Sequence, residues 1–112
     1  MQQYFSLAGR TALVTGGSRG IGRMIAQGYL EAGARVIICC RKIAEGQQTA
    51  QELSQYGECI ALAADLSTEQ GARQLADDVR AITERLDILV NNAGTSWGAP
   101  LEDFPVSDWE KV

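Results

Sequence analysis

Residues 15–22 read TGGSRGIG, and this run constrains the chain more than any other. It follows a short apolar segment, TALVT at 11–15, and opens an amphipathic one, IGRMIAQGYLEAGA from Ile21. Gly16, Gly20 and Gly22 are spaced Gly-x-x-x-Gly-x-Gly. A helix N-terminus carries unpaired N–H groups and partial positive charge, so it attracts phosphate. Glycines let a dinucleotide pyrophosphate come close to the backbone and allow the tight strand-to-helix turn. Gly16 is expected to make the turn. Gly20 and Gly22 are expected to open the approach and let the helix pack on a sheet. Glycines serving a turn alone are the plainer alternative.

Two other phosphate loops fail on spacing. A P-loop needs Lys and Ser/Thr after its last glycine, but Arg23 and Met24 follow Gly22. The G-x-G-x-x-G fingerprint begun at Gly20 would end on Ile25.

The rest of the chain supplies the setting. After Thr11–Thr15, a helix is expected over residues 21–32, capped by Gly33. RVIICC at 35–40 is a continuous, β-branched apolar run that suits a strand buried on both faces. A weaker helix spans 43–56 before Gly57, and CIALA at 59–63 is a third strand. Residues 67–86 form the clearest helix. Its stripe is Ala72, Leu75, Ala76, Val79, Ile82 and Leu86, and Ser67 with Gln70 form a capping box. DILVN at 87–91 is a fourth strand, followed by the loop NAGTSWGAP. Ser107 and Glu110 form a second capping box where a further helix begins. Strands alternating with helices predict an α/β fold: the N-terminal half of a Rossmann-type doubly wound parallel sheet, with helices on both faces. Residues 1–112 are read as one nucleotide-binding half-domain.

The acid that holds a ribose 2′-hydroxyl is expected about 20 residues past the glycines, at the end of the second strand. Cys39, Cys40, Arg41 and Lys42 stand there instead, and Arg19 lies in the glycine loop. Arginine holds a phosphate by charge-assisted, bidentate contact. The cofactor reading is therefore NADP(H) over NAD(H). Solvated charges after a strand are the alternative for Arg41 and Lys42.

A net charge of −4 disfavours non-specific binding to nucleic acid or anionic membrane. No apolar run approaches the ~20 residues of a membrane span. The N-terminus lacks a signal-peptide pattern, and a cytoplasmic protein is expected. Three cysteines and no histidine argue against a disulfide framework or a zinc site, so no metal is expected.

TGGSRGIG, the Asp65–Leu66 pair and NNAG at 91–94 stand in the order and setting of the short-chain dehydrogenase/reductase family, which the whole chain resembles. The stretches YFSLAGR and NNAGTSWGAPLE…PVSDWEKV are most similar to its NADPH-dependent 3-oxoacyl reductases. The resemblance implies reduction of a 3-keto acyl thioester, small or carrier-bound, to the 3-hydroxy form, by a homo-oligomer, a tetramer when full length. It places Gly16, Gly20, Ile21 and Gly22 along the pyrophosphate, and Ser18, Arg19 and Arg41 at the adenosine 2′-phosphate. Cys40 occupies the place where NAD-preferring relatives carry Asp. Asp65 would accept from the adenine amino group with the Leu66 backbone beside it. A helix N-terminal carboxylate is the other reading of Asp65. Asn91, Asn92, Ala93 and Gly94 would hold the central strand and lie along the ribose. Ser96 and Trp97 either border the pocket or order a loop.

The family's proton donor is a Tyr in Tyr-x-x-x-Lys. Residues four after Tyr4, Tyr29 and Tyr56 are Ala8, Gly33 and Ile60. The catalytic Asn, Ser, Tyr and Lys map beyond Val112, so no catalytic residue is assigned here. The chain is expected to be the N-terminal part of a longer enzyme and inactive alone. The rival readings are a dinucleotide-binding module without turnover, a reductase of another ketone, and a sugar-nucleotide epimerase or dehydratase. The NNAG motif argues against the last.

Overall fold

The computed structural model describes residues 6–92 of the chain. Ala93, Gly94, Ser96, Trp97 and the Ser107–Glu110 box lie outside them. Seven elements alternate: β1 (Thr11–Thr15), α1 (Gly20–Glu31), β2 (Arg35–Cys40), α2 (Ile43–Leu53), β3 (Cys59–Ala63), α3 (Glu69–Ile82) and β4 (Ile88–Asn91). The strands form one parallel sheet in the order β3-β2-β1-β4. This is the strand order of a mononucleotide-binding half, with the chain reversing direction beside β1.

Strand alternation divides the core. Leu13, Ile37 and Cys39 face α3, where Ala72, Leu75, Ala76 and Val79 form a buried stripe with Ile82 and Leu86 packed against it. Ala12, Val14, Val36 and Ile38 face α1 and α2 and meet Ala26, Leu30, Ala50 and Leu53. Val36 to Cys40 are buried throughout, as a strand covered on both faces requires.

The strands stand where the sequence puts them, apart from one residue at β4. The helix ends differ, each for a local reason. α1 covers 20–31 rather than 21–32, and Gly33 follows it at φ +103°. There the Ala34 N–H donates to the Tyr29 carbonyl and the Gly33 N–H to that of Leu30, a Schellman stop. α2 ends at Leu53, three residues before the expected Tyr56. Ser54 Oγ donates to the Gln51 carbonyl and the Gln55 amide to that of Glu52, so side chains close the final turn.

α3 runs over 69–82 rather than 67–86, and the Ser67–Gln70 box does not form. Asp65 Oδ1 accepts from both the backbone N–H and the hydroxyl of Ser67. Thr68 caps the helix instead, its Oγ1 accepting from the Gly71 N–H at 2.9 Å. At the other end Thr83 turns out of the helix, and its hydroxyl donates to the Arg85 carbonyl. β4 begins at Ile88 because Asp87 lies just before the strand. Its Oδ2 accepts from the Thr11 N–H at 2.9 Å, and its Oδ1 pairs with Arg85 at 2.8 Å.

Candidate functional site

The parallel register aligns the carboxyl ends of the strands. Thr15 lies beside Cys39 and Asn91, and Cys40 beside Ala63. Ligands of open parallel sheets bind along such a crest. The glycine loop, residues 16–19, rises from its centre between β1 and α1.

Gly16 at φ +66° and Gly20 at φ +64° adopt the left-handed backbone that favours glycine. The N–H groups of Gly16 and Gly17 point back to the Cys39 carbonyl, at 2.9 and 3.4 Å. Beyond them the start of α1 is bare. The N-cap residue Arg19 makes no side-chain cap, and the first turn holds no acid. The N–H groups of Gly20, Ile21 and Gly22 meet no acceptor among the described residues, and that of Arg23 reaches the Arg19 carbonyl. α3 differs, with both a capping threonine and Glu69 in its first turn. A 12-residue helix thus starts with its leading donors open, the kind of terminus that attracts anions in general.

Gly22 sets how tightly this turn closes. A Cβ there would collide with the Gly16 carbonyl oxygen and lie 2.7 Å from Asn92 Nδ2. Gly17, which the spacing argument passed over, is also close-packed, since a Cβ would lie 2.7 Å from Ile38 Cγ2.

Two threonines fasten the loop, and neither carried a role in the sequence reading. Buried Thr15 accepts the Asn92 N–H at 2.8 Å, and its hydroxyl lies 3.2 Å from Asn91 Oδ1 and 3.3 Å from the Val90 carbonyl. Asn91 and Asn92 are thereby tied to the end of β1. On the other side, Thr49 of α2 donates to the Ser18 carbonyl at 2.8 Å, with both residues buried. Ion pairs Arg23–Glu52 at 2.7 Å and Arg19–Glu45 at 3.8 Å run between the same two segments. Thr49→Val keeps the shape but leaves the Ser18 carbonyl without its donor. It is expected to cost about 1–3 kcal/mol in denaturant unfolding, and Thr49→Ser should restore most of it. Equal stability of Thr49→Val and the parent would contradict that role.

The expected acid is absent from the end of β2. Cys40 is turned inward, its Sγ donating to the Lys42 carbonyl at 3.1 Å. Burial foremost raises its pKa. Arg41 and Lys42 are exposed and form no ion pair with any described residue. Asp65 is exposed after β3, and its hydrogen bonds from Ser67, with Arg41 adding a smaller pull, hold its carboxyl below the usual range. It serves locally as the turn carboxylate ahead of α3. The Leu66 side chain packs into the α3 core, leaving only its backbone at the crest. Ile21 is 67% exposed beside the open N–H groups.

Burial pushes the Cys39 thiol up to about 12 and the Cys59 thiol to about 11, from an ordinary 9.0. The folded state thus favours the neutral thiols. Their contribution to stability is complete below pH ~9 and is lost as pH rises through the folded values. Unfolding measured from pH 8 to 11 should show falling stability, with a shallower fall in Cys39→Ala. An unchanged slope in that variant would contradict the assignment. Among the described residues, no group of three His, Cys, Asp or Glu side chains could hold a metal ion, and no helix is long and apolar enough to cross a membrane.

Comparison with known proteins places this geometry. Residues 10–112 match the family model described as short chain dehydrogenase. The chain is 68% identical over 112 residues to the rhamnolipids biosynthesis 3-oxoacyl-[acyl-carrier-protein] reductase of Pseudomonas aeruginosa, covering all of this chain and 44% of that protein. Among solved structures it is similar to the Pseudomonas aeruginosa RhlG/NADP active-site complex. There the TM-score is 0.82 at 63% identity, over 92% of this chain and 42% of the other. It is also similar to L-sorbose reductase from Gluconobacter frateurii complexed with NADPH and L-sorbose. That match has a TM-score of 0.78 at 33% identity, over 83% of this chain and 36% of the other. The chain thus spans less than half the length of each of these relatives. With the family matched from residue 10 onward and the glycine turn at the crest of a 3-2-1-4 parallel sheet, this chain belongs to the short-chain dehydrogenase family.

Proposed function

We propose that this chain forms the NADP(H)-binding part of an oxidoreductase that reduces a 3-oxoacyl thioester to its 3-hydroxyacyl form. One observation carries the cofactor reading. The open N–H groups of α1 follow directly on Arg19, and the neighbouring strand β2 ends on Cys40, with Arg41 after it, in place of an acid. The residues fit the cofactor: Gly22 leaves the turn without the Cβ that would push it open, and the first helical turn supplies donors without a competing carboxylate.

In this reading Gly16, Gly20, Ile21 and Gly22 line the pyrophosphate. Ser18, Arg19 and Arg41 face the 2′-phosphate, where a bidentate guanidinium contact discriminates NADP(H) from NAD(H). Asp65 and the Leu66 backbone meet the adenine. Asn92, with Ala93 and Gly94 beyond the described residues, runs along the ribose. When bound, the nicotinamide supplies the hydride. In this reading the described residues bind and orient; none of their tyrosines stands in a Tyr-x-x-x-Lys pair.

The substrate reading rests on the 68% identity to the Pseudomonas aeruginosa reductase, whose name gives a 3-oxoacyl carrier-protein substrate. The same reading makes the protein a cytoplasmic homo-oligomer that binds neither membrane nor nucleic acid, consistent with its net charge of −4. The test is NADPH oxidation by the gene-encoded protein with 3-oxoacyl thioesters and with sugar ketones. Turnover of the thioester with NADPH is expected. Turnover confined to a sugar ketone, or cofactor binding without any turnover, would overturn the substrate reading.

A further inference from the structure

The acid missing from the end of β2 has a counterpart one turn later in space. Glu45, the third residue of α2, places its Oε2 3.8 Å from Arg19 Nη1 in the glycine loop. The pair is open to solvent, with side chains 84% and 40% exposed. Its position is set from beneath. The Gly46 N–H donates to the Lys42 carbonyl at 3.1 Å, and a Cβ on Gly46 would collide with Cys40 Sγ. The first turn of α2 therefore sits directly on the end of β2 and carries the Glu45 carboxylate toward Arg19. The Glu45 charge is felt at Cys40, where it helps raise the thiol. It is the only acid within 4 Å of Arg19 among the described residues.

We propose that Glu45 is a specificity-determining residue that competes with the cofactor's 2′-phosphate for the Arg19 guanidinium and so limits the preference for NADP(H) over NAD(H). The inference rests on the NADP(H) reading above. A 2′-phosphate carries up to two negative charges at neutral pH. To engage Arg19 it must break or share the Glu45 contact and accept the nearby carboxylate. An exposed pair of this kind is itself worth little, so the phosphate displaces it readily. Repulsion between a carboxylate and a phosphate several ångströms apart in a largely aqueous setting is modest, and salt screens it. The pyrophosphate is common to both cofactors, so NAD(H), with a neutral 2′-hydroxyl, lacks only this added repulsion.

The experiment is equilibrium binding of NADP+ and NAD+ to the gene-encoded protein and its Glu45→Gln variant, at low and at 0.5 M salt. Glu45→Gln should tighten NADP+ about three- to fivefold at low salt and leave NAD+ unchanged, and the gain should shrink at high salt. In an Arg19→Gln background the gain should fall, because the contested partner is gone. Equal changes for both cofactors, no change, or weaker NADP+ binding would overturn the proposal. So would selective loss of NAD+ affinity, which would make Glu45 the ribose acid displaced into the helix. The two readings fail separately. A parent protein that prefers NADP+ with an indifferent Glu45→Gln variant refutes this inference alone. A parent with no preference for NADP+ refutes both.

Discussion

Gly22→Ala should cost the protein both stability and cofactor binding. Gly22 lies in the first turn of α1 without a positive φ, so alanine would ordinarily favour the helix by about 1 kcal/mol. Sterics reverse the sign. The added Cβ would fall on the Gly16 carbonyl oxygen and within 2.7 Å of Asn92 Nδ2. The Asn92 amide can turn aside, but the Gly16 carbonyl is backbone and does not yield easily, because Gly16 is held by its N–H bond to Cys39. Overpacking of this kind costs about 1–3 kcal/mol. Relief comes only by lifting the glycine turn off the start of α1, which misplaces the open N–H groups. A displacement near 1 Å at such a site costs on the order of 100-fold in function. Denaturant unfolding and NADP+ titration of Gly22→Ala check both effects. Full-affinity binding by this variant would contradict the tight-turn account.

Arg41→Ala should weaken NADP+ binding by roughly 10- to 100-fold, matching a charge-assisted hydrogen bond of about 1.5–3 kcal/mol, and leave NAD+ almost untouched. Arg41 is exposed and in no ion pair with a described residue, so its removal breaks no internal bridge. It also pulls the Asp65 carboxyl slightly down, behind the Ser67 hydrogen bonds. The variant should therefore fold like the parent, and the effect should appear in cofactor selectivity. Parallel loss of NADP+ and NAD+ would instead assign Arg41 to the pyrophosphate.

The fold was legible because its signals are local. RVIICC, short and rich in β-branched residues, suits a strand buried on two faces, and the α3 stripe repeats at helical spacing. The helix ends were harder, because short polar side chains compete for the same backbone groups. Ser67 bonds to Asp65 and so cannot cap α3, and Thr68 takes its place. The glycine loop was legible as a motif, but what fastens it was not. Thr49 reaches Ser18 across 31 residues, Glu45 of α2 reaches Arg19 in the glycine loop, and Thr15 reaches Asn92 across the sheet. Such pairs leave no periodicity or spacing in the sequence, since the parallel crossover alone brings them together. The end of β2 carries no acid, as its sequence shows, and the carboxylate that reaches Arg19 comes instead from Glu45 of α2.

In the proposed reading the crest of this sheet receives a 2′-phosphorylated dinucleotide. The most direct measurement is the pair of dissociation constants of the gene-encoded protein for NADP+ and NAD+, taken by calorimetry under one buffer and salt condition. NADP+ is expected to bind at least about tenfold tighter, as one charge-assisted arginine contact requires. Equal affinities, or tighter NAD+, would contradict it.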